Sequence, residues 1–137
     1  MKIKINDQYS KFFIISEKMI NDFAEITGDK NPIHIDEEFA KNTIFKKRIS
    51  QGLLVGSFIS SVLGNDFPGI GTIYLAQNLK FLNPVFIDDK IKVRVEVIEI
   101  TKNNWLKLKT ECTNQLDKVV ISGEATVIPP TNCELVW

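Results

Sequence analysis

Asp29 and His34, the only histidine in the chain, stand five positions apart. Asn31 and Pro32 lie between them and favour a rigid turn. A carboxylate and an imidazole carried on such a turn can point into one pocket, where the two groups can take up and release protons. This spacing predicts a general acid/base pair, although an aspartate and a histidine beside a turn also fit a purely structural role.

The elements on either side must hold this pair in place, and the first of them is a helix. Apolar residues recur at intervals of three and four over 19–26, Ser16 can cap the first turn, and Gly28 tolerates the left-handed backbone of a helix end. The backbone conformation of Gly28 therefore sets the direction in which the chain continues to Asp29.

The second element is the apolar stretch 52–64, which opens on Gly52. Apolar residues fall on all sides of its helical wheel, so it predicts a helix buried over most of its circumference, with Ser50 as a possible cap. Its small residues would let another element approach closely: Gly56, Ser57, Ser60 and Ser61. The acid/base pair thus precedes a buried helix that begins at a glycine.

From residue 70 onward, apolar residues recur at every second position, which is typical of β-strands. Strands are predicted over 72–81, 90–100, 105–113 and 119–128, after a short strand over 11–15. Charged residues line one side of 90–100, so only one face of the sheet is covered. We therefore expect an α+β fold, in which an antiparallel meander of three or four long strands curls around the buried helix, and not a doubly wound fold.

Length and composition narrow the classes of function. The 137 residues predict one domain spanning 1–137, and 17 basic residues balance 17 acidic ones, so neither nucleic acid nor a membrane is expected as a partner. The start of the chain does not resemble a signal peptide, and no apolar run reaches the roughly twenty residues of a membrane span. Cys112 and Cys133 lack the spacing of a metal site. We expect a cytoplasmic protein with free thiols and no bound metal.

The segment from Phe23 to Asp36 resembles the signature of the MaoC-like dehydratases, and in particular that of the (R)-specific enoyl-CoA hydratases. Further matching segments follow in order along most of the chain: Gly52-Leu53-Leu54, Gly71-Thr72-Ile73-Tyr74, Phe81-Leu82-Asn83-Pro84-Val85 and Asp88-Asp89. The resemblance implies the hot-dog fold, in which a long antiparallel sheet wraps around a central helix. It also implies homodimers, or dimers of dimers, that join edge to edge and have active sites near the interface.

The resemblance also implies an activity and its catalytic residues. In that family, the aspartate and the histidine of the signature activate one water for addition to a trans-2-enoyl thioester, which gives the (R)-3-hydroxyacyl product. These roles are implied for Asp29 and His34, and the backbone N–H that binds the thioester oxygen corresponds to Gly52. A free N–H at a helix N-terminus suits that role because the helix dipole favours negative charge there. No cofactor is implied beyond the coenzyme A or acyl carrier protein that the substrate carries.

Three further residues are candidates for supporting or substrate-binding roles: Ser60, Asn31 and Gln51. Ser60 matches a serine that supports the catalytic network in the family, although small residues inside a buried helix also serve packing. Many relatives have His-Gly where this chain has Gln51-Gly52. Any contact that the histidine makes in those relatives is therefore either lost here or replaced by a contact of the glutamine amide. Because the oxyanion contact is a backbone N–H, we expect this difference to tune the site and not to abolish it.

Two other functions stay open at this point. The hot-dog fold also hosts thioesterases, which usually place a carboxylate on the central helix, but 52–64 contains no Asp or Glu. A non-catalytic module that binds acyl thioesters would be expected to lack one member of the acid/base pair. The cluster Lys46-Lys47-Arg48 is either a solvated patch or a contact for the phosphates of coenzyme A or for an acidic carrier protein. Acyl chain length and the pathway, with fatty acid metabolism as one option, are left open.

Overall fold

The computed structural model describes all 137 residues. Seven strands are present: β1 Lys2–Lys4, β2 Gln8–Ile14, β3 Ile73–Phe81, β4 Lys90–Ile100, β5 Leu106–Thr113, β6 Val119–Ile128 and β7 Glu134–Val136. The helices are α1 Glu17–Thr27, α2 Pro32–Ile35, α3 Glu37–Lys41 and α4 Gly52–Ser61, and α4 continues into a π-helical turn over Val62–Asp66. None of these helices combines the length and the apolar character that crossing a bilayer requires. The predicted α+β class is confirmed.

Five strands form one antiparallel sheet in the order β2-β4-β5-β6-β3, and β1 pairs with β7 in a separate parallel pair. The predicted meander takes its shorter form, over β4, β5 and β6. β3 lies at the edge of the sheet beside β6 and not beside β4. The segment between β3 and β4 does not form a hairpin, and its residue Phe86 forms a β-bridge with Ile49. This pairing joins residues far apart in the sequence, so no periodic pattern predicts it.

The hydrophobic core lies between the inner face of this sheet and α4. Alternation in β4 and β5 sends every second side chain inward, and these residues are fully buried: Ile91, Val93, Val95, Val97, Leu106, Leu108, Thr110 and Cys112. Val55 and Ile59 of α4 are fully buried in the same cluster. Burial of each aliphatic side chain in this cluster contributes about 1.5–3 kcal/mol to the free energy of folding. The sheet therefore fixes α4, and with it the position of Gly52 at the start of that helix.

The prediction of a helix buried over most of its circumference is confirmed for α4, apart from one stripe that is exposed in the single chain. Leu53, Ser57 and Ser60 form an exposed stripe, in which Leu53 keeps 62% of its surface accessible. The sheet covers only the opposite side of the helix, and the edge strand β3 has no neighbour beyond it. The N-cap residue is Gln51 and not the predicted Ser50, and no side chain caps α4.

Candidate active site

A cavity of about 590 Å³ lies at the N-terminal end of α4, between α1, α2, the end of β3 and the start of β6. Most of its lining is apolar: Phe23, Phe45, Ile49, Leu53, Val55, Phe81, Leu82, Pro84, Val85, Val120 and Ile121. Polar groups enter from a few positions: Thr27, Asp29, His34, Ser50, Gln51 and Asn83. Binding sites for small organic ligands have this character, with apolar walls and a few polar groups that fix orientation.

The end of α1 positions Asp29. Gly28 adopts the left-handed conformation with φ of 76°, and its N–H closes the helix on the Ala24 carbonyl. The next N–H, that of Asp29, donates to Thr27 Oγ1 at 3.1 Å. Asp29 Oδ1 accepts from the N–H of Asn31 at 3.3 Å, whereas Oδ2 has no partner within the chain. The carboxylate therefore reaches the cavity with one oxygen free to accept a proton or a hydrogen bond.

The short helix α2 positions His34. Asn31 caps this helix by accepting from the N–H of Ile33, and Pro32 occupies the first helical position, where its missing N–H costs nothing. The His34 side chain is buried, and its Nδ1 lies 2.8 Å from the carbonyl oxygen of Ile49. A carbonyl can only accept, so Nδ1 carries the proton. The neutral ring then has its lone pair at Nε2.

Gly52 opens α4 at the same cavity. The first N–H groups of a helix have no partner within it, and Gln51 provides no side-chain cap for them here. A Cβ added at position 52 would lie 2.5 Å from both Cδ1 and Cε1 of Phe81. Glycine is therefore the residue that allows Phe81 to close the wall of the cavity beside a free backbone donor.

The three predicted supporting residues differ in where they lie. Gln51 lines the cavity and is 2% exposed, and its Nε2 donates to the Ile20 carbonyl at 3.0 Å, which ties the start of α4 to α1. Its Oε1 is buried without a partner. Asn31 does not line the cavity, since its side chain caps α2. Ser60 lies on the exposed stripe of α4, outside the cavity of the single chain.

The basic cluster divides into two parts. Lys46 and Lys47 are exposed, so a contact of these two with phosphates stays a prediction. For Arg48 the interpretation as a solvated residue is wrong, because its side chain is 6% exposed and donates to the backbone carbonyl of His34. Three neighbouring basic residues carry no sequence signal that separates the buried one from the others. Burial of Arg48 depends on α1, which lies far away in the sequence.

This arrangement can transfer protons to and from a polar, unsaturated group and can stabilise negative charge on it. Asp29 and His34 Nε2 offer two proton acceptors, and the start of α4 offers backbone donors to an oxygen that gains negative charge. The walls are largely apolar, whereas Asp29 is exposed, so water can reach its carboxylate.

Comparisons with known proteins point to one family. The family model described as MaoC like domain matches residues 4–120. The chain is similar to the (R)-specific enoyl-CoA hydratase of Rhodospirillum rubrum, with 45% identity over 85% of this chain and 81% of that protein. It is also 45% identical to the 3-hydroxybutyryl-CoA dehydratase of Methylorubrum extorquens, over 85% of this chain and 74% of that protein. Among solved structures, the (R)-hydratase from A. caviae involved in PHA biosynthesis has a TM-score of 0.91 and 32% identity, covering 93% of this chain and 98% of that one.

Proposed function

This chain belongs to the MaoC-like dehydratase family, and we propose that it catalyses the reversible addition of water to trans-2-enoyl thioesters to give (R)-3-hydroxyacyl thioesters. The family and its hot-dog fold, both predicted from the sequence, are confirmed. The chain is a hydro-lyase, like the hydratases and dehydratases to which it is similar. The observation that carries the proposal is that Asp29, His34 and Gly52 line one apolar cavity.

The reaction needs a place for negative charge. Attack of water on the β-carbon moves electrons toward the thioester oxygen, which becomes an enolate oxygen. The N–H of Gly52 at the start of α4 can donate to that oxygen, and the helix dipole adds to its stabilisation. Loss of one such donor typically raises the barrier by about 2.7–4 kcal/mol.

The reaction also needs a way to deprotonate water. A water molecule that donates one hydrogen to the Asp29 carboxylate and the other to His34 Nε2 turns an oxygen lone pair toward the β-carbon. One O–H bond breaks as the new C–O bond forms, and the released proton goes to one of the two acceptors. A proton is then returned to the α-carbon on the same face, and the enolate becomes the thioester again. Dehydration follows the same steps in reverse.

We take coenzyme A thioesters as the substrate class, because both curated relatives described above are named for coenzyme A substrates. The apolar walls formed by Phe81, Val120 and Ile121 suit an acyl chain. Lys46 and Lys47 follow Phe45, which lines the cavity, and their exposed ammonium groups suit the phosphates of the carrier. The proposed reaction uses no cofactor apart from the carrier that the substrate brings.

We also propose that two copies of the chain pair through β3. This strand has β6 on one side and no neighbour on the other, so one row of its backbone groups is unpaired. It also exposes several large apolar residues: Ile73, Tyr74, Leu75 and Phe81. The exposed stripe of α4 with Leu53, Ser57 and Ser60 lies on the side that the sheet leaves open. Pairing of the two edges would extend the sheet and cover both surfaces, as the family resemblance implies.

A spectroscopic assay with crotonyl-CoA tests the proposed activity. Loss of the absorbance of the enoyl thioester without release of thiol is the expected result, and the product should be oxidised by an (R)-specific 3-hydroxyacyl-CoA dehydrogenase and not by an (S)-specific one. Release of free coenzyme A would instead indicate hydrolysis, as expected of a hot-dog thioesterase. Tight binding without either change would indicate a non-catalytic binding module. Each of the last two results would overturn the proposal.

A further inference from the structure

We propose that Arg48 is a positioning residue for His34, because its buried guanidinium joins α1, the helix that precedes Asp29, to the helix that carries the histidine. This inference rests on the proposed function, since it assigns Arg48 a part in the same proton transfer. Arg48 does not face the reacting atoms, so it would act through His34 alone.

The guanidinium of Arg48 uses its donors on two helices. Nε donates to the backbone carbonyl of His34 at 2.6 Å. Nη2 donates to Asn21 Oδ1 at 2.8 Å, and Nη1 lies 3.2 Å from Glu17 Oε1. Asn21 and Glu17 belong to α1, whereas His34 belongs to α2. A charge with 6% of its side chain exposed is retained only when its donors are paired, and here the pairs connect the two helices.

The residue after Arg48 holds the imidazole itself. The Ile49 carbonyl accepts from His34 Nδ1, and the Ile49 N–H donates to the Ile33 carbonyl at 3.3 Å. On its other side, this segment is fixed by the bridge between Ile49 and Phe86 and by a 2.7 Å bond from the N–H of Ser50 to the Val85 carbonyl. Arg48 and Ile49 therefore hold both the backbone and the ring of His34 against a fixed strand-like segment.

These bonds set the relation between the two proton acceptors. Asp29 follows α1 directly after Gly28, so a shift of α1 against α2 changes the distance from the carboxylate to Nε2. Misplacement of catalytic groups by about 1 Å can cost on the order of a hundredfold in rate. Lysine cannot take the place of Arg48, because a single ammonium lacks the planar fork that reaches both helices. Loss of Arg48 should therefore lower kcat far more than it raises KM.

His34 is the only histidine, so its ring can be observed by NMR in ¹⁵N-labelled protein without any assignment. At a pH where the ring is neutral, we expect the wild-type ring to show a protonated Nδ1 and an unprotonated Nε2. In Arg48→Met, the two ring nitrogens should move toward averaged shifts, as the Nδ1 bond to Ile49 loosens. Arg94→Met is the matched control, since Arg94 bonds to Gln8 and Glu96 on the sheet and does not line the cavity.

Kinetics of crotonyl-CoA hydration complete the test. Arg48→Met should lower kcat by about tenfold or more with little change in KM, Arg48→Lys should not restore it, and Arg94→Met should resemble the wild type. In a His34→Ala background, Arg48→Met should cause no further loss, because its effect passes through the histidine. If Arg48→Met does not fold, Asn21→Ala, which removes one exposed partner of Arg48, should shift the tautomer and kcat in the same direction.

A folded Arg48→Met variant with the wild-type tautomer would overturn the proposal, as would an equal loss of kcat with and without His34. An Asn21→Ala variant with wild-type tautomer and kcat would do so where Arg48→Met cannot be obtained. The tautomer measurement needs no activity, so failure of the proposed function and failure of this inference can be distinguished.

Discussion

The hydrogen bond from His34 Nδ1 to the Ile49 carbonyl determines which ring nitrogen can receive a proton. With Nδ1 protonated, the neutral imidazole is an acceptor at Nε2 and becomes a donor only after it has taken a proton. Asp29 is likewise an acceptor through its free Oδ2. Two acceptors match the two hydrogens of one water, so the proposed reaction uses both residues.

At the residue scale, Gly52→Ala should reduce hydration by about a hundredfold, because the new Cβ would lie 2.5 Å from the Phe81 ring and must displace either the ring or the backbone donor. Steady-state kinetics with crotonyl-CoA measure this loss. Gly64→Ala is the matched control, since an added Cβ there meets no atom within 4 Å. Recovery of activity in Gly52→Ala combined with Phe81→Ala would support the steric cause, whereas wild-type kinetics in Gly52→Ala alone would contradict it.

The two cysteines should differ in reactivity. Burial, with a smaller effect of Glu111, raises the pKa of Cys112 to about 12, so its thiol stays protonated far above neutral pH. Because the thiolate is the nucleophile, a disulfide reagent at about pH 8 should modify only Cys133 in the folded protein and both cysteines after denaturation. Rapid reaction of two thiols in the native protein would mean that the core around β5 is open.

Residues with local signals could be predicted, and residues with distant partners could not. Asp29, His34 and Gly52 stand beside a glycine helix end, an Asn-Pro turn and a helix start, which are features that the sequence displays directly. Arg48 and Phe81 contact neighbours contributed by remote segments, α1 and the start of α4. A side chain's burial among such neighbours follows from the tertiary fold, and composition does not reveal it.

At the element scale, the two sides of α4 contribute differently to the stability of the fold. Ile59 is fully buried against the sheet, whereas Ser60 next to it is exposed. Ile59→Ala should therefore lower the free energy of unfolding by about 2–5 kcal/mol, and Ser60→Ala should change it by less than about 0.5 kcal/mol. Urea denaturation of both variants checks this difference. Equal effects of the two substitutions would show that the sheet does not cover α4 as described.

The strands were easier to predict than the sheet. Their alternation predicts the bounds of β4 and β6, and those of β3 and β5 to within one residue, since the apolar period of two is a local property. The position of β3 beside β6 is not local, because it depends on the path of 82–89 and on the bridge from Phe86 to Ile49. The exposed stripe of α4 has no local signal either. An apolar helix does not reveal how much of its surface one copy of the sheet will cover.

At the scale of the whole molecule, the proposed pairing through β3 predicts a particle of twice the 15.6 kDa of one chain. Leu75→Lys places a charge on the exposed edge strand and should shift the protein toward single chains in sedimentation equilibrium, because pairing of the edges would have to cover that charge. Leu116→Lys is the control, as Leu116 is exposed in the turn between β5 and β6. A wild-type chain that sediments as a monomer would contradict the pairing.

The central claim is that Asp29 and His34 together activate one water, and the rate of crotonyl-CoA hydration in single variants tests it most directly. Asp29→Asn and His34→Ala should each lower kcat by about a hundredfold or more while the fold stays intact, since each removes one proton acceptor. Asp22→Asn, the same change at an exposed position of α1, should keep the wild-type rate. Wild-type turnover in either Asp29→Asn or His34→Ala would contradict the claim.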